Sequence, residues 1–338
     1  MSWGFIGNER AVQALVRSLA GPSPPHAYLL AGPQGVGKAT AAERLAQTVN
    51  CVGGAPPCGE CGQCRRIAAG IHADVLTVSV RPGEEGPQHK AISVDQMRDV
   101  QQAVALNPFE GRNRVVVVDP ADAMTPGAQN AFLKTLEEPP PHVFFVLITS
   151  AEEALLETVH SRCWRVEFRL VHLRRIEQAL RDRGVEEGPA GLLARLSQGR
   201  PGWALKMAGD PAALARREEA LASARGLGGM SISGRMELAQ QLSDDFKRDR
   251  ESVLSLLAQW QAYWRDVLLV QSGAADAIAN VDQAAALRED AGRCAGGEVV
   301  TFVQALLDTS GYLESNVQSR LALEALLLRV PGARAATR

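Results

Sequence analysis

The chain has 338 residues, more than one ordinary hydrophobic core accommodates, so two or three domains are expected. Its 46% apolar and 22% charged residues are those of a globular chain and exclude a disordered one. With 36 Lys and Arg against 38 Asp and Glu the net charge is −2, which excludes a global basic field drawing the chain by itself onto nucleic acid.

The N-terminal stretch MSWGFIGNERAVQAL is amphipathic and interrupted by charge, so neither a signal peptide nor a membrane span is expected there, and a cytoplasmic location follows. A short helix is predicted over residues 11–19, closed by the breaker run Gly21-Pro22-Ser23-Pro24-Pro25. Residues 26–31 (HAYLLA) read as an apolar strand feeding the glycine-rich loop GPQGVGKAT, and helical composition follows over 39–49. Beyond a cysteine-rich stretch, residues 74–80 alternate like a strand and 94–105 look helical. The β-branched run at 114–118 (RVVVV) and the segment 143–148 (VFFVLI) read as strands buried on both faces, with a helix over 128–136 between them. Strands alternating with helices predict an α/β fold around a parallel sheet. After about Phe168 the strand signals stop. Short helices are expected at 171–183 and 191–208, separated by Gly188-Pro189, and Gly209-Asp210-Pro211 reads as a hinge into an alanine- and leucine-rich helical segment. There Val253, Leu257, Trp260, Trp264 and Val267 step by four, three, four and three, placing them on one helix face. Residues 321–328 (LALEALLL) are apolar nearly all round, as in a helix buried between neighbours.

The loop after the first strand carries phosphate-binding chemistry. Gly32, Gly35 and Gly37 let backbone amides wrap an anion, Lys38 supplies charge, and the next helix points its N-terminus at the ligand. The usual pattern puts Ser or Thr directly after the lysine to hold Mg²⁺. Here that residue is Ala39, and the hydroxyl arrives one place late at Thr40, about 100° further round the helix. Asp119 ends the RVVVV strand, where hydrolytic enzymes of this architecture carry Asp-Glu; Pro120 replaces the glutamate, and Asp122 follows three residues after Asp119. The reading is a degenerate site that holds ATP or ADP without turnover. The alternative is a tight strand–helix turn and nothing more.

Four of the six cysteines, Cys51, Cys58, Cys61 and Cys64, fall within fourteen residues at gaps of six, two and two. Two-residue gaps form knuckles that aim sulfurs at one ion, Gly53, Gly54, Gly59 and Gly62 supply turns, and a reducing compartment favours metal over disulfides. The expectation is one structural Zn²⁺. His72 is an alternative ligand, though a lone loop histidine is more often solvated. Cys163 and Cys294 read as packed small residues.

Together, HAYLLAGPQGVGK (26–38), the four cysteines, IHAD (71–74), NAFLKTLEEPPPHVFFVLITS (130–150), SRC (161–163), WRDVLL (264–269) and NVQSRLALEALLL (316–328) resemble bacterial clamp-loader subunits of DNA polymerase III, within the AAA+ ATPases. The six-residue first cysteine gap is shorter than the family's. The resemblance implies an AAA+ P-loop core with the inserted zinc module (1–166, module 51–64), a small helical lid (167–209) and an all-α collar that oligomerises (210–338). Two branches share the pattern, the ATP-hydrolysing gamma/tau subunit and delta-prime. Ala39, Pro120 and Gly202, which stands in SQGRPGWAL where active members carry a nucleotide-sensing arginine, resemble delta-prime. By the same resemblance Arg162 of SRC is a finger presented to a neighbour's nucleotide, and Thr149 falls at the sensor position of the chain's own site. The implied partners are gamma/tau and delta subunits, the sliding clamp, and primer–template DNA through the assembled complex, with no membrane. The alternatives are an active gamma/tau-like or helicase-loader ATPase, opposed by Ala39 and Pro120, and a zinc-dependent DNA-binding module, opposed by the charge balance.

Overall fold

The structure is a computed structural model that describes residues 3–80, 91–210, 212–314 and 318–332. Its chain divides into two compact units, Met1–Ala179 with Gly199–Trp203, and Leu180–Gln198 with Ala204–Arg338.

In the first unit the apolar runs form one parallel sheet of β1 (Ala27–Ala31), β2 (Val75–Val78), β3 (Arg114–Val118), β4 (Val143–Thr149) and β5 (Trp164–Glu167), ordered β2-β3-β4-β1-β5. Its helices are α1 (Glu9–Ala20), α2 (Lys38–Asn50), α3 (Gly62–Ala68), α4 (Val94–Val104), α5 (Pro126–Glu137) and α6 (Glu157–His160). The period of two explains why the strands read as continuous apolar runs. Leu29, Val116, Val118, Phe145 and Leu147 face one way, onto Met97 and Val100 of α4 and Phe132 and Leu136 of α5. Tyr28, Leu30, Val115, Val117, Val146 and Ile148 face the other, onto Leu15 of α1 and Ala41, Ala42 and Leu45 of α2. With both faces covered, neither register slip nor inversion is tolerated.

Helix starts follow local capping chemistry. Ser93 and Gln96 form a reciprocal capping box at α4. Thr125 caps α5, whose first residue is Pro126, so the helix begins two residues before the apolar pattern does. Three elements of this unit are not predicted from sequence: β5, α3 and the single-turn α6. β5 is a short edge strand (WRVE) in which only Val166 is buried, with Trp164 packed edge-on against Tyr28 at 5.5 Å, too little apolar alternation to register in sequence. α3 begins inside the cysteine-rich stretch and runs four residues past Cys64.

α7 (Leu173–Arg181) runs across the division between the units, and α8 (Glu187–Leu196) and α9 (Pro201–Ala208) follow. The single helix expected over 191–208 is broken because Gln198 and Gly199 adopt φ of 50° and 84°, and Pro201 then starts a new helix. Gly188-Pro189 does not separate helices but lies in the first turn of α8, where a missing N–H is tolerated. The remaining helices are α10 (Ala213–Gly226), α11 (Ile232–Arg248), α12 (Arg250–Gln271), α13 (Ala284–Arg293), α14 (Gly296–Glu314) and α15 (Ser319–Leu327). Val253, Leu257, Trp260, Trp264 and Val267 of α12 are all buried, as their spacing requires, and Trp264 meets Phe302 of α14 edge-on at 5.5 Å. α15 is not buried all round. It packs on α11 and α14 through Ala322, Leu323, Leu326 and Leu327, which leaves Leu321 and Leu328 59% and 56% exposed on its uncovered side. Pro211 of the expected hinge and Asn316 and Val317 of the C-terminal motif lie outside the described residues. Among the described residues, no helix is long and apolar enough to cross a membrane.

Candidate functional site

From β1 the chain passes through α2 and α3 to β2 at the far edge, whereas β4 is followed by β5 on the other side of β1. The carboxyl end of β1 is therefore the switch point at which open parallel sheets bind ligands. There the loop 32–37 turns into α2. Gly32 has φ 142°, and a Cβ on it would lie 2.0 Å from the Phe168 carbonyl oxygen, so no other residue fits. Residues 34 and 35 form a tight turn, and the amides of Gly35 and Gly37 carry no hydrogen bond among the described residues and remain available to an anion. The loop borders a cavity of about 250 Å³, which Lys38, Ala39, Thr40, Asp119, Pro120 and Thr149 also line. The structure thus brings Gly35, Gly37, Lys38, Thr40, Asp119 and Thr149 together, with Gly32 opening the loop.

Lys38 is buried, and its ammonium donates to the carbonyls of Gly32 and, at 2.7 Å, Pro33. Burial lowers its pKa, against the opposing pull of Asp119 and Asp122. Burial likewise raises the Asp119 carboxyl, with Lys38 acting in the other direction. The Thr149 hydroxyl donates to Asp122 at 2.6 Å, and the same carboxylate oxygen accepts from the Ser150 amide at 3.1 Å. Asp122 sits on the 3₁₀ turn Ala121–Ala123 after Pro120, so it organises the end of β4. Ala39 and Pro120 also line this cavity, and neither side chain can hold a metal ion or polarise a water. Gly202 reaches the same cavity from the start of α9. Its amide donates to the Gly35 carbonyl at 2.9 Å, and a Cβ there would come within 3.0 Å of that oxygen.

The four cysteine sulfurs lie within 4.8 Å of one another, close enough to share one metal ion. Cys51 ends α2 and Cys61 caps α3. Backbone amides point at the sulfurs: Gly53 to Cys51 at 3.4 Å, Cys61 to Cys58 at 3.3 Å and Cys64 to Cys61 at 3.5 Å. The Cys64 amide, followed by that of Val52, lowers the Cys61 thiol to about 6, and the Cys61 amide is the chief cause lowering Cys58; burial pushes Cys64 up to about 12. A Cβ on Gly53 would meet the Cys58 sulfur at 2.8 Å, so the knuckle requires glycine. The donor set fits a closed tetrahedral thiolate site. The Gln47 amide steadies it by donating to the Cys64 carbonyl at 2.9 Å.

His72 stands outside this cluster and is buried rather than solvated. Its Nε2 bonds the Gln63 side-chain oxygen at 2.6 Å while Nδ1 accepts from the Asp74 amide at 3.1 Å. Cys163 is packed against the sheet core, where burial raises its thiol to about 12, and Cys294 is buried in the helical core. Arg162 follows α6, with its side chain 31% exposed and paired to Glu137. Sequence reading did not find Asp74 as an anchor, Asp122 as the partner of Thr149, or Glu137 as the partner of Arg162. Each pairing joins residues 25 or more positions apart, and nothing in local spacing signals them.

A parallel sheet with a phosphate loop at its switch point, a four-cysteine insertion behind the first helix and an all-helical C-terminal unit define an α/β P-loop fold of the AAA+ type. The family profile described as "DNA polymerase III, delta subunit" matches residues 7–172. A curated DNA polymerase III subunit delta′ from Bacillus subtilis is 29% identical over 337 residues, covering 94% of each chain. The B. subtilis subunit tau is 33% identical over 203 residues, covering 57% of this chain, which spans only 34% of that relative's length. Among solved structures, a gamma subunit-related protein from Thermotoga maritima aligns over 94% of this chain and 97% of its own, at 18% identity and a TM-score of 0.49. The chain is thus similar to DNA polymerase III clamp-loader subunits, and a delta′ subunit matches it end to end.

Proposed function

We propose that the chain is a delta′-type clamp-loader subunit that assists ATP-dependent loading of the sliding clamp onto primed DNA without hydrolysing ATP itself. The observation that carries this reading is a phosphate loop complete in its glycines and lysine but bordered by Ala39 and Pro120. Nucleotide held by Lys38 and the loop amides would find neither a metal-binding hydroxyl nor a carboxylate for water. Arg162 then acts in trans, offering positive charge to the phosphoryl group on a neighbouring gamma/tau subunit; such a finger contributes about 10³–10⁵ in rate. Residues 1–166 form the AAA+ core, 167–209 the lid and 210–338 the collar that joins gamma/tau and delta partners. Zinc at Cys51, Cys58, Cys61 and Cys64 is structural, since four thiolates leave no open position. Clamp and primer–template DNA are met through the complex, in the cytoplasm.

Reconstitution tests the reading. The chain mixed with gamma/tau and delta partners is expected to form a defined complex whose ATPase responds to clamp and primed DNA, while the chain alone turns over negligible ATP. Steady turnover by the isolated chain that disappears in Lys38→Ala would overturn it in favour of the gamma/tau-like ATPase.

A further inference from the structure

A guanidinium has five N–H donors, and four of those on Arg162 are already committed within the chain. Nε–H donates to Oε1 of Glu137 at 2.9 Å, and one Nη2–H donates to the same oxygen. Nη1 donates to the Thr158 carbonyl at 2.8 Å and the Ser161 hydroxyl at 3.1 Å. A phosphate is gripped through two adjacent N–H groups on one edge of the fork. Here the Nε/Nη2 edge is capped by a carboxylate and the Nη1 donors are taken, which leaves a single Nη2–H. The arginine is placed but not yet able to grip.

Glu137 is an unusual residue to find in that position. It is the last residue of α5, where the helix dipole disfavours an anion. Arg162 is its one ion-pair partner among the described residues, and the two side chains keep 49% and 31% exposure, open to an approaching neighbour. We infer that Glu137 is a stand-in anion for Arg162: it holds the guanidinium by the edge that a phosphate needs and yields it when an adjacent subunit presents its nucleotide. The inference rests on the reading of Arg162 as a trans-acting finger. Glu137 is on this account a positioning residue. A multiply charged phosphate outcompetes one carboxylate, so the hold governs the resting rate and not the maximal one. Because the pair is exposed, it shifts the released fraction by no more than about fivefold.

The experiment uses loader assembled from full-length chains carrying Glu137→Gln, Arg162→Ala or both, with ATPase read in the absence and presence of clamp and primed DNA. Glutamine keeps the shape and one acceptor oxygen while removing the charge. Glu137→Gln should raise the unstimulated rate about two- to fivefold and leave the stimulated rate unchanged, so the stimulation ratio falls by that factor. Arg162→Ala should lower the stimulated rate, and the double variant should match Arg162→Ala. A purely structural role for Glu137 would instead change complex yield, or move both rates together. If Glu137→Gln leaves the unstimulated rate unchanged or lowers it while Arg162→Ala still impairs the complex, the stand-in role is wrong and the finger stands. If Arg162→Ala changes neither rate, the finger reading fails and takes this inference with it.

Discussion

Asp74 shows how much of this molecule is decided by single buried groups. Its two oxygens accept from the amides of Phe109, Glu110 and Gly111, each at 2.8 Å, and from Arg114 at 2.9 Å. Burial alone would raise the carboxyl; the three amides and the guanidinium outweigh it and hold it at about 2. Arg114 is buried too and donates to the carbonyls of Leu106 and Asn107, so the pair ties the start of β2 to the chain between α4 and β3. Asp74→Asn strands that guanidinium without a counter-charge, a change that costs about 3–5 kcal/mol when a buried pair is broken. The sign with pH follows from the depressed value. The stabilisation is complete above the unfolded carboxylate pKa of about 3.9 and is lost as pH falls from there toward about 2. Denaturant unfolding at pH 7 should show the full loss, and the gap between variant and wild type should close across that acid window. Equal stability at pH 7 would remove Asp74 from the account. None of this was legible in sequence, where IHAD stood out only as part of a family resemblance, because the partner lies 40 positions away.

At the scale of elements, legibility depended on whether the signal was local. The valine run of β3 and the two-residue cysteine gaps carry their meaning within a few residues, and the structure places both as read. β5 and α3 do not. A seven-residue helix is too short to persist in isolation, and α3 is held by contacts that composition cannot reveal. Cys61 caps its start, Gln63 bonds both His72 and the Glu110 carbonyl, and Arg66 pairs with Glu110 at 2.9 Å. If zinc closes the sulfur cluster, these ties set the reach of its effect. Protein purified without chelator should hold about one equivalent of zinc, the content of one Cys₄ site. Chelation or Cys61→Ser should expose the amides of residues 51–74 to hydrogen exchange while those of β1, β3 and β4 stay protected. Unchanged protection of α3 in protein shown to contain no metal would mean that the ion contributes nothing to this segment.

For the whole molecule, the helical second unit was readable as helices but not as a surface. The α12 stripe announced a buried face, and Leu257, Trp260, Trp264 and Val267 do join the helical core. The continuous apolar run of α15, by contrast, divides into a buried side and an open one, because period alone cannot say how many neighbours a helix has. On the proposed collar reading, the open side is where assembly is tested. Val300 and Leu307, seven residues apart on α14, are 51% and 46% exposed, and Leu321 on α15 is 59% exposed. Apolar side chains left to solvent fit a docking role. Replacing all three with glutamate should leave folding nearly intact, since exposed substitutions cost within about 0.5 kcal/mol each. The same chain should enter the complex with gamma/tau and delta partners poorly, read as a shift of the subunit from the complex peak to the free peak in size-exclusion chromatography. Its thermal transition, measured on the isolated chain, separates loss of docking from loss of fold. A normally folded variant that assembles to the wild-type extent would show that these helices close a self-contained bundle, and the collar would have to be sought elsewhere in the chain.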